Sequence, residues 1–129
     1  MKVIRAYPPN FSELAKVFPI KGKPGILYAW GDRLYNPSGV KVTPWILAHE
    51  ETHGSQQMHF GLDEWWWNYI NKADFRRIEE VLAHRYEWLA YSGPDPDAYL
   101  DMMSKRLSSP LYGRLLTYDA ARRAITNGV

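Results

Sequence analysis

The chain has 129 residues, of which 46% are hydrophobic and 15% aromatic, and its formal net charge is +2 at pH 7. This length and apolar content predict a single domain, residues 1–129, with its own hydrophobic core. The sequence contains no cysteine. Disulfides, thiolate nucleophiles and cysteine-ligated zinc are therefore excluded, and histidine and carboxylate side chains remain as the strong metal ligands.

The distribution of charged residues and the length of the apolar segments indicate which partners and which cellular location to expect. Basic residues are scattered among acidic ones, without the dense stripe that neutralises a phosphate backbone, so we expect no nucleic-acid partner. No stretch approaches the roughly 20 apolar residues of a membrane span, and the N-terminus lacks the apolar run of a signal peptide. We therefore expect a soluble, cytoplasmic protein without a membrane partner.

The first third of the chain predicts the β part of an α+β protein. Extended runs over residues 2–7, 26–30, 33–35 and 40–43 alternate with turn residues, and a brief helix is expected over residues 13–18. These runs predict a small antiparallel sheet.

The residue pattern from Thr43 onward predicts helices. Thr43 and Pro44 supply a capping residue and a proline at the first helical position, and this helix should run to about Phe60, before Gly61. Four further helical segments follow, over residues 63–69, 74–92, 96–107 and 117–127. A single α+β unit, with its helices mostly after its strands, is the simplest architecture.

An HExxH arrangement extends from His49 to His53 within the first of these long helices. Side chains four residues apart project from the same helix face, so both imidazoles can reach one ion. Glu50 is offset around the helix, which suits a carboxylate that acts on a metal-bound water without being a ligand. The motif predicts His49 and His53 as zinc ligands and Glu50 as the general base.

A catalytic zinc normally has three protein ligands and one open position, so a third ligand is needed. His59 has the spacing of the metzincin pattern HExxHxxGxxH, but Gln56 stands where that pattern has a turn-forming glycine. If the helix continues to Phe60, a rise of about 1.5 Å per residue places His59 about 15 Å from His49 along the axis. His59 remains an alternative only if the helix ends earlier.

Two adjacent glutamates in the segment 74–92, Glu79 and Glu80, are the other candidates. On a helical wheel this segment has an apolar stripe and, opposite it, a polar cluster. The stripe comprises Phe75, Ile78, Leu82, Tyr86 and Leu89, and the cluster comprises Glu80, His84, Glu87 and Tyr91. Such a cluster is usually a solvated helix face, so periodicity leaves both glutamates open.

The stretch from Glu80 through Ala83 to His84, placed after HExxH, resembles gluzincin-type zinc metallopeptidases. In that family a second helix carries a glutamate ligand, often as Glu-x-x-Ala followed by Asp; His84 departs from the pattern. The resemblance implies Zn²⁺ as cofactor and Glu80 as third ligand. It also implies a zincin-like fold with a small sheet, an active-site helix, a glutamate-bearing helix and C-terminal helices.

A looser pattern, HExxHxxQ, is completed by Gln56. Together with the segments 3–11 and 31–37 it is similar to small zincin-like proteins encoded by bacteriophages. This resemblance implies a location in the cytoplasm of a bacterial host.

Two more side chains are candidates for supporting roles. His84 could orient His49 or His53, help to stabilise an oxyanion, or lie on the helix surface. Tyr112, in the turn-rich segment 108–113, could donate a hydrogen bond to a developing oxyanion or belong to a plain connector.

These features predict a zinc metallopeptidase that hydrolyses a peptide or protein substrate, with Glu50 moving the proton from water to the leaving amine. The alternative is a non-catalytic zincin-fold module with an interaction or structural role, as in a phage. Bound zinc with an ordered water and an open cleft would favour the enzyme, whereas an empty or closed four-ligand site with an aromatic surface patch would favour the module.

Overall fold

The computed structural model describes residues 1–127, which form an α+β fold of six α-helices and a three-stranded sheet. The strands are β1 (Lys2–Ile4), β2 (Tyr28–Trp30) and β3 (Arg33–Tyr35), and the helices are α1 (Phe11–Val17), α2 (Pro44–Phe60), α3 (Leu62–Asn71), α4 (Ala73–Ala90), α5 (Pro96–Leu107) and α6 (Tyr118–Asn127). A short 3₁₀ helix, Pro110–Tyr112, lies between α5 and α6. Within these residues no helix combines the length and the apolar content needed to cross a bilayer.

The sheet is mixed, so the prediction of an antiparallel sheet is wrong. Its strand order is β1-β3-β2, with β2 antiparallel to β3 but β1 parallel to it. A tight turn at Gly31, where φ is +62°, joins β2 to β3 as a hairpin. Because α1 and its following loop separate β1 from this hairpin, β1 is free to pair in the parallel direction.

The expected fourth strand, over residues 40–43, does not form. The Asn36 side chain donates to the Val40 carbonyl at 2.9 Å and accepts from the Val40 N–H at 3.1 Å. These bonds occupy the backbone groups that a strand needs for its ladder. The segment leads instead to Thr43, whose hydroxyl accepts from the Ile46 N–H at 3.3 Å and caps α2.

Helix α2 has the predicted bounds and packs closely on the hairpin. It ends at Gly61, where φ is +95°. Gln57 accepts from the Gly31 N–H at 2.6 Å and donates to the Ala29 carbonyl at 3.0 Å. A Cβ at Gly54 would lie 2.5 Å from the Gly31 carbonyl oxygen, so this approach requires glycine.

Two hydrophobic clusters form the core on different parts of the fold. An aromatic-rich cluster joins the sheet, α1 and α3 and contains Leu14, Phe18, Ile20, Tyr28, Tyr35, Trp65, Trp66 and Tyr69. An aliphatic cluster joins α4, α5 and α6 and contains Val81, Leu100, Met103, Leu107, Ala121, Ala124 and Ile125. Helices α2 and α4 also pack against each other, and both bury polar side chains.

Helix α4 buries its polar side. Glu80 is 2% exposed, and His84 and Glu87 are 0% exposed. Most of the apolar stripe, including Ile78 and Leu82, is exposed to solvent. The expectation that the polar cluster is a solvated face is therefore wrong. Buried ionisable groups are costly unless they are paired or bind a metal, so this side of α4 is the place to look for a candidate functional site.

Candidate metal centre

Three buried side chains converge between α2 and α4: His49 and His53 from α2, and Glu80 from α4. Their potential ligand atoms all lie within 4.8 Å of one another. His49 Nε2 is 3.6 Å from Glu80 Oε1, and His53 Nε2 is 3.2 Å from Glu80 Oε2. Two atoms each about 2.0–2.1 Å from a tetrahedral zinc are about 3.3 Å apart, so these separations fit such an ion.

Hydrogen bonds orient both imidazoles towards the carboxylate. His49 Nδ1 donates to Glu87 Oε1 at 2.8 Å, and His53 Nδ1 donates to Gln56 Oε1 at 2.9 Å. Each bond keeps a proton on Nδ1 and turns Nε2 to the site. Glu80 Oε1 is buried and has no hydrogen-bond partner within residues 1–127. A buried oxygen of this kind needs a donor or a cation, so the donor set fits a divalent metal.

Carboxylates dominate the electrostatics of this group. Burial lowers the pKa of His49, but Glu80 and Glu87 outweigh it and raise that pKa to about 10. Burial likewise lowers the pKa of His53, and Glu80 raises it to a net value above the usual one. The Glu80 pKa is raised by burial but brought well below its ordinary range by the two histidines. A cation that enters the site therefore displaces protons from the imidazoles.

Glu50 lies beside the three convergent residues and lines the same cavity. It is buried, and burial raises its pKa more than His49 and His53 lower it. A carboxyl with a raised pKa is suited to accept and return a proton near neutral pH. The structure thus places the predicted base next to the predicted ligands.

Glu80 is also held by α3. Tyr69 Oη donates to Glu80 Oε2 at 2.5 Å. Arg76 donates through Nη1 to the Tyr69 carbonyl at 2.6 Å and through Nε to the Tyr112 carbonyl at 2.9 Å. One guanidinium thus links α3, α4 and the 3₁₀ helix. Neither Tyr69 nor Arg76 is predicted as a site residue from the sequence, because their contacts depend on how the helices cross and leave no periodic signal.

Glu87 is the centre of a second buried network. Besides His49, it accepts from Arg106 Nη2 at 2.6 Å and from Tyr99 Oη at 2.5 Å. Burial raises the Glu87 pKa, but the His49 hydrogen bond and the Arg106 charge lower it to about 2. The helical wheel places Glu87 in the polar cluster but predicts no role for it. Its position seven residues after Glu80, on the same helix face, is the signal that could have found it.

The two alternative third ligands lie elsewhere. Glu79 Oε1 accepts from Trp65 Nε1 at 2.9 Å, which directs this carboxylate to α3. His59 is exposed near the end of α2, with its ring against Phe60. Because α2 continues to Phe60, the condition for the metzincin alternative is not met. Neither residue joins the group of metal-capable side chains in residues 1–127.

His84 is fully buried, so the alternative that it lies on the helix surface is wrong. Its Nδ1 donates to the Glu80 carbonyl at 2.7 Å, and its Nε2 accepts from Arg106 Nε at 3.3 Å. Burial and the Arg106 charge lower its pKa to about 3, so the ring is neutral. Because both ring nitrogens are engaged, His84 makes no hydrogen bond to His49 or His53. Its ring centroid lies 4.7 Å from that of His49.

Tyr112 is half-buried and lines the same cavity as His49, His53 and Glu80. Its ring centroid is 5.5 Å from that of His84. Burial and the nearby Glu80 raise the pKa of its hydroxyl well above the usual value. The hydroxyl is therefore protonated and available as a donor beside the site.

Comparisons of the chain with models of protein families, with curated proteins and with solved structures find no match. Function is therefore inferred from the residues and from the geometry of the site.

Proposed function

We propose that this protein is a zinc-dependent metallopeptidase of the gluzincin type, with His49, His53 and Glu80 as ligands. The observation that carries the proposal is that both Nε2 atoms face the Glu80 carboxylate, at 3.6 and 3.2 Å, while separate partners hold each Nδ1. Two histidines from one helix and a carboxylate from a second make the three-ligand set of a catalytic zinc. The order of sheet, α2 and α4 supports a zincin-like fold.

Zinc at this position would polarise the scissile carbonyl and lower the pKa of water towards neutrality. Glu50 accepts the proton of the attacking water and returns it to the leaving amine. The protonated hydroxyl of Tyr112 can donate to the oxygen that gains negative charge. The substrate is a peptide or protein, and the similarity to phage-encoded zincin-like proteins supports action in the cytoplasm of a bacterial host.

The number of ligands supports an enzyme rather than a non-catalytic module. Within residues 1–127 the metal-capable group has three members. His84 is close, but hydrogen bonds engage both of its nitrogens. A structural zinc is usually enclosed by four protein ligands, whereas a catalytic zinc keeps one position open.

The test compares zinc content and peptide hydrolysis in the wild type and in two matched variants, Glu50→Gln and Glu51→Gln. Glu51 is the exposed neighbour of Glu50. We expect stoichiometric zinc in all three proteins and a loss of activity of about 10²–10⁴-fold in Glu50→Gln alone. A chelator should abolish hydrolysis and added zinc should restore it. Full activity of Glu50→Gln would refute the assigned base, and a wild type that binds no zinc would refute the proposed function.

A further inference from the structure

We propose that the site selects a small, branched aliphatic side chain next to the scissile bond. This inference rests on the proposed function and concerns the cavity that adjoins the metal-capable group. The ligands and Glu50 line one side of it. The other side is built by α1, the loop before β2, α3 and the 3₁₀ helix, with Leu14, Phe18, Ile20, Ile26, Trp65 and Leu111 among its apolar residues.

Several polar atoms of the residues that line this cavity are engaged, while neutral donors are left over, among them the Tyr112 hydroxyl and Trp66 Nε1, which is buried without a partner within residues 1–127. The Trp65 indole N–H donates to Glu79, the Tyr69 hydroxyl donates to Glu80, and the Gln57 amide bonds to backbone groups of the hairpin. Burial raises the pKa of the Tyr28 hydroxyl to about 12, so it carries no charge. Outside the metal-capable group and Glu50, the wall thus offers no charge to a ligand. A charged substrate side chain would be buried there without a partner.

The size of the cavity limits the ligand further. Its volume is about 80 Å³. An apolar protein cavity of about 150 Å³ binds benzene, so roughly half that volume admits the branched side chain of valine or leucine but not an aromatic ring. The site should therefore discriminate against phenylalanine, tyrosine and tryptophan as well as against charged residues.

The wall is braced against expansion. Trp65 is stacked on Tyr69 with ring centroids 4.9 Å apart, and it meets Trp66 edge-on at the same separation. Phe18 packs edge-on against Tyr69 at 5.9 Å. Rings that support one another in a dense cluster cannot rotate independently. An aromatic substrate side chain would have to displace several of them together.

The first measurement compares kcat/KM of the zinc-loaded enzyme on a series of peptides. The peptides differ only in the residue next to the scissile bond, which is alanine, valine, leucine, phenylalanine or lysine. Cleavage positions are mapped by mass spectrometry. We expect valine and leucine to exceed phenylalanine and lysine by roughly tenfold or more, the usual range for a size-limited apolar pocket. Equal or better cleavage of the phenylalanine or lysine peptide would overturn the proposal.

Two variants test the wall directly. Leu111 lines the cavity, whereas Leu116 is also half-buried but packs against the aliphatic cluster. Leu111→Ala should raise the ratio of phenylalanine to leucine cleavage by about tenfold, and Leu116→Ala should leave it unchanged. The same ratio in both variants would contradict the assignment.

A binding measurement separates the pocket from catalysis. N-isobutylacetamide and N-benzylacetamide are titrated into the full chain with zinc, and the indole N–H resonances of Trp65 and Trp66 are followed by NMR. The isobutyl probe should shift both resonances saturably and the benzyl probe should not. No shift with either probe, or equal shifts, would refute the pocket even if Glu50-dependent hydrolysis is seen. Selective shifts in a protein without hydrolysis would refute the proposed function, and with it the substrate assignment, but not the aliphatic pocket.

Discussion

The two histidines of the site are held by different kinds of partner. His49 donates to Glu87, an ionised carboxylate, whereas His53 donates to Gln56, a neutral amide. A carboxylate stabilises developing positive charge on an imidazole more than an amide does, so it makes the ring a stronger metal ligand. We therefore expect the His49 side of the site to contribute more to metal affinity than the His53 side.

The hydrogen-bond partners of the two histidines, Gln56 and Glu87, also differ in their sequence separation from the histidine that they contact. Gln56 is three residues from His53 and on the same helix, so a single turn of α2 encodes this contact. Glu87 is 38 residues from His49 and on another helix, and it is fixed in turn by α5. His53 is thus oriented locally, while the orientation of His49 depends on the assembly of three helices.

Removal of the carboxylate that both histidines face should have the largest effect. Glu80→Ala leaves two ligands, and zinc affinity should fall by well over the roughly 100-fold seen when a hydrogen-bonded partner of a ligand is lost. The matched variant Glu79→Ala leaves the buried Trp65 indole N–H without its acceptor, at a cost of about 1–3 kcal/mol in the free energy of unfolding, but should keep zinc. Competition with a chromogenic chelator measures both. Zinc loss in Glu79→Ala alone would reassign the third ligand.

Glu87→Gln tests the contribution of the carboxylate that accepts the hydrogen bond of His49. The change preserves shape but removes the charge that faces His49 and Arg106, so zinc affinity should fall by about 10–100-fold. Chelator competition or calorimetry gives the value, and peptide hydrolysis at saturating zinc shows whether catalysis is retained. An unchanged affinity would mean that the charge of Glu87 does not contribute to metal binding.

Gln56→Ala tests the contribution of the amide that accepts the hydrogen bond of His53. His53 loses its Nδ1 acceptor, and zinc affinity should fall by about tenfold, the lower end of the range for such partners. The same competition assay applies. If Gln56→Ala weakened zinc binding more than Glu87→Gln does, the orientation of His53 by Gln56 would contribute more to zinc affinity than the charge of Glu87. The expected order of the two histidines would then be wrong.

A substitution on the opposite face of α4 should have the smallest effect. Leu82 lies between Glu80 and Glu87 in sequence but is exposed to solvent. Leu82→Gln should change the free energy of unfolding by no more than about 0.5 kcal/mol and leave zinc affinity unchanged. Urea denaturation and chelator competition check this control. A loss of zinc here would show that general disturbance of α4 mimics the effect of Glu87→Gln.

Local signals explain what the sequence could predict. The bounds of α2 follow from the capping Thr43, from Pro44 and from Gly61, and the spacing of His49 and His53 places both on one face of that helix. For Glu80, periodicity alone left two candidates, and the resemblance to gluzincins favoured the residue that the structure brings to the histidines.

Features that depend on tertiary packing could not be predicted in the same way. Periodicity finds the two faces of α4 but not which one is buried, and here Leu82 faces solvent while His84 does not. The partner strand of β1 depends on the path of the intervening chain. Residues 40–43 look extended, but Asn36 takes their hydrogen bonds. The contacts of Tyr69 and Arg106 with the site exist only once α3 and α5 are in place.

The close approach of α2 to the β2–β3 hairpin at Gly54 has a consequence for the way such a site can change. Main-chain contact, rather than an adjustable side chain, sets the spacing between the sheet and the helix that carries His49, Glu50 and His53. Residues such as Leu111, which lie outside this contact, can vary without moving that helix. If the proposed function holds, the cavity wall can therefore change its shape in this scaffold while His49, Glu50 and His53 keep their positions.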